Sequence, residues 1–90
     1  MSSAHDAHPD IIKRLKRAEG HLRSTIAMLE EGRGCLDVAQ QLQAVESAIT
    51  NAKKSLVHEH IDHCLDDAVQ GGGRPAAEAL REFKAITKYL

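Results

Sequence analysis

The sequence has very few aromatic residues, no tryptophan, and only two cysteines and two prolines in 90 residues. Phe83 and Tyr89 are its only aromatic side chains, so the stacking platforms of single-strand nucleic-acid binders are missing. No stretch approaches the roughly 18 apolar residues of a membrane span, and the N-terminus lacks a signal peptide's apolar run. We therefore expect a cytoplasmic protein without membrane contact, whose cysteines serve metal or redox chemistry.

The sequence is short, rich in aliphatic residues and nearly neutral in net charge. Apolar residues make up 42% of the sequence, mostly Leu, Ile, Val and Ala. A chain of this length buries only a modest core, and association with further copies is the usual remedy. The formal net charge is −1, so any surface that binds nucleic acid must be local.

The apolar periodicity predicts an all-α fold with three helices per chain. Residues 1–8 are polar and are expected to form a flexible arm, and residues 9–90 a single domain. Pro9 suits the first position of a helix that runs to about Glu31, where Gly32-Arg33-Gly34 ends it. Pro75 opens a short third helix, whose inward-facing residues are expected to be Ala77, Leu80, Phe83, Ile86 and Leu90.

The second helix is predicted to be unusually long. It begins near Cys35 and meets no glycine or proline until Gly71, roughly 35 residues or about 50 Å. The first helix is too short to cover it, so part of its apolar face must meet another subunit.

The run from His58 to Cys64 concentrates chemistry in this helix. His60 and Cys64 are spaced i, i+4, so their Cβ atoms lie about 5–6 Å apart on one face and one metal ion can touch both side chains. Cys35 lies about 37 Å away along a straight helix and joins them only through an antiparallel helix of another subunit. A lone buried cysteine usually belongs to the core, but three converging ligands favour a site.

Enzyme activity is not expected. The metalloprotease pattern H-E-x-x-H fails, because Asp62 stands at its fifth position after His58 and Glu59. No Ser/His/Asp array, phosphate loop or pair of catalytic carboxylates stands out. His58 and His63 have no role assigned by the pattern.

The first helix carries a local excess of positive charge. Residues 10–24 hold five basic side chains against Asp10 and Glu19, a local charge of +3. Such a patch can contact the phosphates of duplex DNA, although a basic run is also common on a solvated helix face. Lys53 and Lys54 on the second helix extend it. The basic residues of the first helix are Lys13, Arg14, Lys16, Arg17 and Arg23.

Four features of the sequence stand out together. They are the run Arg14–Leu22, the cysteine that opens the second helix, the run Gln40–Val45 and the His60-x3-Cys64 pair. In these features the chain resembles the CsoR/RcnR/FrmR family of bacterial metal- and aldehyde-responsive repressors. The likeness covers nearly the whole chain. It implies an antiparallel four-helix-bundle dimer that pairs into a disc-shaped homotetramer, with Cys35, His60 and Cys64 as the sensing triad. It also implies operator binding through basic residues, Arg14 and Arg17 first, and release of the operator when ligand binds.

Within this resemblance, nickel or cobalt leads as the effector and Cu(I) follows closely. Two thiolates and an imidazole suit Cu(I), Zn(II) or, with a fourth nitrogen, planar Ni(II). The family's copper sensors add a tyrosine before the first cysteine and a glutamate in the third helix. Here Gly34 precedes Cys35 and Leu80 stands near the expected glutamate, so this support is predicted to be missing. Nickel and cobalt sensors recruit a histidine of the arm, for which His5 or His8 can serve.

Two further interpretations stay open. The family's formaldehyde sensors use a proline directly after the initiator methionine together with the cysteine of the second helix, here Cys35, but this chain has Ser2. Persulfide sensors need a cysteine where this chain has His60. A helical metal buffer that never binds DNA would use the same ligands.

Overall fold

The computed structural model describes residues 8–70 and 76–90, apart from the side chains of 67–70 and 76. These residues form helices α1 (Pro9–Glu30), α2 (Cys35–Gln70) and α3 (Ala76–Ile86), and a closing 3-10 turn at Thr87–Tyr89. Three helices, with no strand among the described residues, confirm the predicted all-α class. The predictions for the arm at 1–7 and the segment 71–75, Pro75 included, fall outside the described residues. None of the helices in the described ranges is long and apolar enough to cross a membrane.

The turn between α1 and α2 follows from its glycines. Gly32 has a φ of +76°, its N–H donates to the Leu29 carbonyl at 3.1 Å, and the Arg33 N–H donates to the Met28 carbonyl at 3.0 Å. This pair of bonds is a Schellman cap, which needs a left-handed residue at the position of Gly32. The Val38 N–H donates to the Gly34 carbonyl at 3.1 Å, so Cys35 lies in the first turn of α2.

Residues Pro9–Ala52 form one compact unit, built from α1 and the first half of α2. Within it, His21 bonds to Gln41, whereas Ala18 lines a cleft with Ala48, so the two helices run antiparallel. Its buried side chains recur every seven residues on each helix, as expected for long helices packed side by side. They are Ile11, Ala18 and Thr25 on α1, and Val38, Val45 and Ala52 on α2.

A second line of apolar side chains in this unit stays exposed in the single chain. Single exposed apolar residues are ordinary, but a continuous row of them marks an interaction surface. The row comprises Ile12 (46% exposed), Leu15 (43%), Leu22 (39%), Ile26 (48%), Leu42 (45%) and Ile49 (47%).

The other unit contains His8, the rest of α2 and α3. Its buried residues include Val57, Cys64 and Ala79, at 1%, 4% and 8% exposure. The predicted inward face of α3 is therefore wrong in part, because Leu80 is 54% exposed and Leu90 is 62% exposed.

This difference follows from the register of α3 against α2, which the apolar pattern of α3 alone does not fix. The prediction assumed that the broadest apolar face of α3 packs within its own chain. Instead the small Ala79 is the buried residue, while Ala77 is exposed and Phe83 and Ile86 are half-buried. The larger apolar side chains are left facing outward.

Candidate metal centre

Three potential metal ligands meet between α2 and α3. The His60 Nε2 atom lies 3.4 Å from the Cys64 Sγ atom and 3.4 Å from the Glu82 Oε1 atom. His60 and Cys64 share a face of α2 one turn apart, as their spacing predicts, and α3 supplies Glu82. All three donor atoms lie within 4.8 Å of one another. In the described part of the chain, this is the one group of three or more such side chains close enough to hold an ion.

The three side chains differ in their access to solvent. Cys64 is 4% exposed, whereas the side chains of His60 and Glu82 are 22% and 41% exposed. The thiol therefore lies inside the unit and the carboxylate lies at its surface.

The separation of the His60 and Cys64 donors fits joint coordination. Taking zinc as a yardstick, with Zn–S near 2.3 Å and Zn–N near 2.0–2.1 Å, angles of about 100–120° at the ion place the two donors roughly 3.3–3.8 Å apart. The observed 3.4 Å falls in this range. Thiolate sulfur, imidazole nitrogen and carboxylate oxygen together suit a borderline or soft transition metal better than Mg²⁺ or Ca²⁺.

Glu82 corrects the sequence analysis, which expected no glutamate of the third helix at this site. Leu80, the residue at the expected position, is exposed, and the carboxylate two residues later reaches His60 instead. The sequence pattern of α3 does not by itself fix its register against α2.

The other predicted ligands lie outside this group. Cys35 is a free, exposed thiol at the first residue of α2. His8 instead pairs with Glu59, its Nδ1 atom 2.8 Å from the Glu59 Oε1 atom. His5 falls outside the described residues. Sequence analysis also missed the His8–Glu59 pair, which no short-range pattern could reveal across 51 positions.

The predicted DNA-binding residues are all exposed, but they do not share one face. Arg14 and Arg17 line a cleft together with His21. Lys16 lies about 200° around the helix from Arg14 and lines a separate hollow with Ile12. The remaining exposed basic residues of the predicted set are Lys13 on α1 and Lys53 and Lys54 on α2.

Comparisons with known proteins agree on one class. The profile of the "metal-sensitive transcriptional repressor" family matches residues 7–89. The copper-sensing transcriptional repressor RicR of Mycobacterium tuberculosis is 39% identical, covering 100% of this chain and 97% of its own. The copper-sensing repressor CsoR of Bacillus subtilis is 40% identical over 87% of this chain and 79% of its own. The solved structure of the nickel-responsive transcriptional regulator InrS superposes with a TM-score of 0.80 at 26% identity over the full length of both chains.

Proposed function

The chain belongs to the family of metal-sensitive transcriptional repressors, and from this premise we propose that it releases operator DNA when Cu(I) binds between subunits at Cys35, His60 and Cys64. Members of this family are transcriptional repressors and not enzymes, and repression implies DNA binding. The effector, the shared site and the assembly are the proposed part.

Glu82 is the observation that carries the choice of copper. Copper stood second in the sequence analysis partly because a glutamate of the third helix was expected to be missing. A carboxylate 3.4 Å from the His60 Nε2 atom removes that objection. The copper-sensing relatives at 39–40% identity point the same way. Gly34 still departs from the tyrosine of the family's copper sensors.

The third ligand is proposed to come from a second copy of the chain. Cys35 is exposed and outside the group formed by His60 and Cys64. The row of exposed apolar side chains on α1 and α2 supports a homodimer in which helices of two copies cover each other, and pairing of dimers gives the homotetramer. Two thiolates and one imidazole then form a three-coordinate soft set that matches Cu(I).

The repressor mechanism rests on a change of assembly shape. Cys35 of one copy and His60 with Cys64 of another are drawn together, which favours a tetramer whose basic faces no longer match the duplex. Because coupling between two binding sites is reciprocal, DNA must weaken copper binding by the same factor by which copper weakens DNA binding.

Subunit mixing tests the shared site. Cys35→Ala and Cys64→Ala should each abolish stoichiometric Cu(I) binding. A mixed dimer of the two variants retains one complete site if Cys35 and Cys64 act from different subunits. Refolding the variants together at equal concentration should therefore restore part of the thiolate-to-copper absorption. No recovery in mixtures whose mixed dimers are verified by native mass spectrometry would refute a shared site.

Nickel or cobalt is the second candidate, because the InrS structure superposes on the whole chain and His8 contacts Glu59, the neighbour of His60. Fluorescence anisotropy of a labelled operator duplex, titrated with Cu(I), Ni(II), Co(II) and formaldehyde, separates the candidates. Release by Cu(I) alone is the expected result. Release by Ni(II) that is lost in His8→Ala would favour nickel, and release by formaldehyde would redirect attention to the Cys35 thiol. A protein that binds copper but no duplex would be a metal buffer.

A further inference from the structure

A cleft in the unit Pro9–Ala52 has the composition of an anion site. Its volume is about 530 Å³, and it lies between α1 and the first half of α2. Two guanidinium groups, one imidazole and one side-chain amide surround it, and no carboxylate lines it. The lining residues are Arg14, Arg17, Ala18, His21, Ala48 and Asn51.

The depth of this cleft comes from small residues and its shape from hydrogen bonds. Ala18, at 5% exposure, and the half-buried Ala48 leave room between the helices. The imidazole of His21 donates from Nε2 to the Gln41 side-chain oxygen, which fixes the ring against α2. The Thr25 hydroxyl donates to the His21 carbonyl at 2.9 Å. His21 is therefore held in place as one wall.

The donors converge from both helices. Arg14 and Arg17 approach from α1, and the forked N–H groups of a guanidinium match the oxygens of a phosphate. Asn51 approaches from α2 with an amide NH₂ group, which donates without adding charge. His21 lines the same cleft with its imidazole. Arg14, Arg17 and Asn51 are exposed, so the rim is open to a ligand that belongs to a long polymer.

We propose that this cleft seats one backbone phosphate of duplex DNA, with Asn51 and His21 as contact residues in addition to Arg14 and Arg17. The inference rests on the proposed repressor function and gives it a docking point. Phosphate contacts fix the register of a protein on DNA and make the affinity depend on salt. Gln41 is a positioning residue, since it acts on the phosphate through His21.

The test compares two variants that each lower the net charge by one. Asn51→Asp places a carboxylate inside the cleft with little change in shape. Arg33→Gln is the control, because Arg33 is exposed, lies between α1 and α2 and does not line the cleft. A labelled duplex enriched from random sequence by the wild-type protein serves as the probe, and circular dichroism with Cu(I) titration checks that both variants fold and keep the metal site.

The expected loss follows from counterion release. Each phosphate contact makes the duplex affinity vary with salt concentration to the power of about −0.9. Between 1 M and 0.1 M salt, one such contact therefore strengthens binding about eightfold, and a variant that loses the contact loses this gain at 0.1 M. Asn51→Asp should show at least this loss, with a salt slope smaller by about 0.9 for each occupied cleft. Arg33→Gln should stay within about twofold of wild type, as expected for a charge outside the contact.

The outcomes separate this inference from the proposal on which it rests. If the wild-type protein binds copper but no duplex, repression itself is refuted. If it binds the duplex and Asn51→Asp binds as well as Arg33→Gln, only the cleft inference is overturned. The His21 imidazole signals in NMR spectra distinguish the phosphate source. These signals should shift when duplex is added. If inorganic phosphate produced saturable shifts at concentrations lower than those of duplex, DNA would be overturned as the occupant.

Discussion

Replacing Glu82 by glutamine should weaken Cu(I) binding about 5- to 30-fold. The carboxylate lies 3.4 Å from the His60 Nε2 atom, so a cation bound at this nitrogen has one negative charge within about 4 Å. Two unit charges at 4 Å attract by about 1 kcal/mol in water and about 4 kcal/mol at an effective dielectric of 20. Glu82 is 41% exposed, which places the interaction near the lower value, at about 1–2 kcal/mol.

The matched control for this substitution is Glu78→Gln. Glu78 is exposed on the same helix one turn earlier and lies outside the group of three donors. The substitution Glu78→Gln therefore removes the same charge without changing a residue of the site. Competition with a coloured Cu(I) chelator at fixed pH and salt measures both affinities. Equal affinities of the two variants would show that Glu82 does not act on the metal, and the argument for copper would lose its structural support.

Four further substitutions test the fold and the assembly, with protomer concentration held constant in each measurement. At both Gly32 and Gly20 an added Cβ would meet no atom within 4 Å, so the two substitutions differ in backbone conformation alone. Gly32→Ala should destabilise the protein by about 1–2 kcal/mol in urea unfolding, because φ is +76° there. Gly20→Ala, within a helix, should stabilise it by up to about 1 kcal/mol. Equal signs would contradict the backbone argument. Val57→Ala, at 1% exposure, should cost about 2–3 kcal/mol, and a loss below about 1 kcal/mol would mean that the site collapses around the smaller side chain. Ile49→Lys should convert the proposed oligomer to monomer in sedimentation velocity, whereas an unchanged size would place the interface elsewhere.

The helices were predictable because their boundaries are local. Pro9 and Gly32 act on the backbone where they stand, and the uninterrupted run after Cys35 predicts a helix within a residue or two of the observed 36. The His60–Cys64 pair was predictable for the same reason, since an i, i+4 spacing on a helix leaves little geometric freedom.

Contacts between helices separated by a glycine-rich segment were not predictable. Glu82 reaches His60 only because α3 takes one particular register, and no periodicity within α3 encodes that register. The same cause explains the error at Leu80, which the apolar pattern placed inside. By contrast, the spread of the basic residues over different faces of α1 was predictable. Their angles around α1 follow from the sequence alone, and counting charge over residues 10–24 concealed that Lys16 lies almost opposite Arg14.

The first half of α2 gives a physical reason why the proposed metal and DNA sites can be coupled. Within the unit Pro9–Ala52, this half of the helix carries Cys35 at its start and the cleft residue Asn51 near its end. It contains no glycine or proline, so it lacks the usual causes of a hinge. If metal draws Cys35 of one copy towards His60 of another, as proposed, the displacement acts on an element that also carries the proposed DNA contact. Asn51 is then expected to move with Cys35, and the proposed phosphate site loses its position on the duplex.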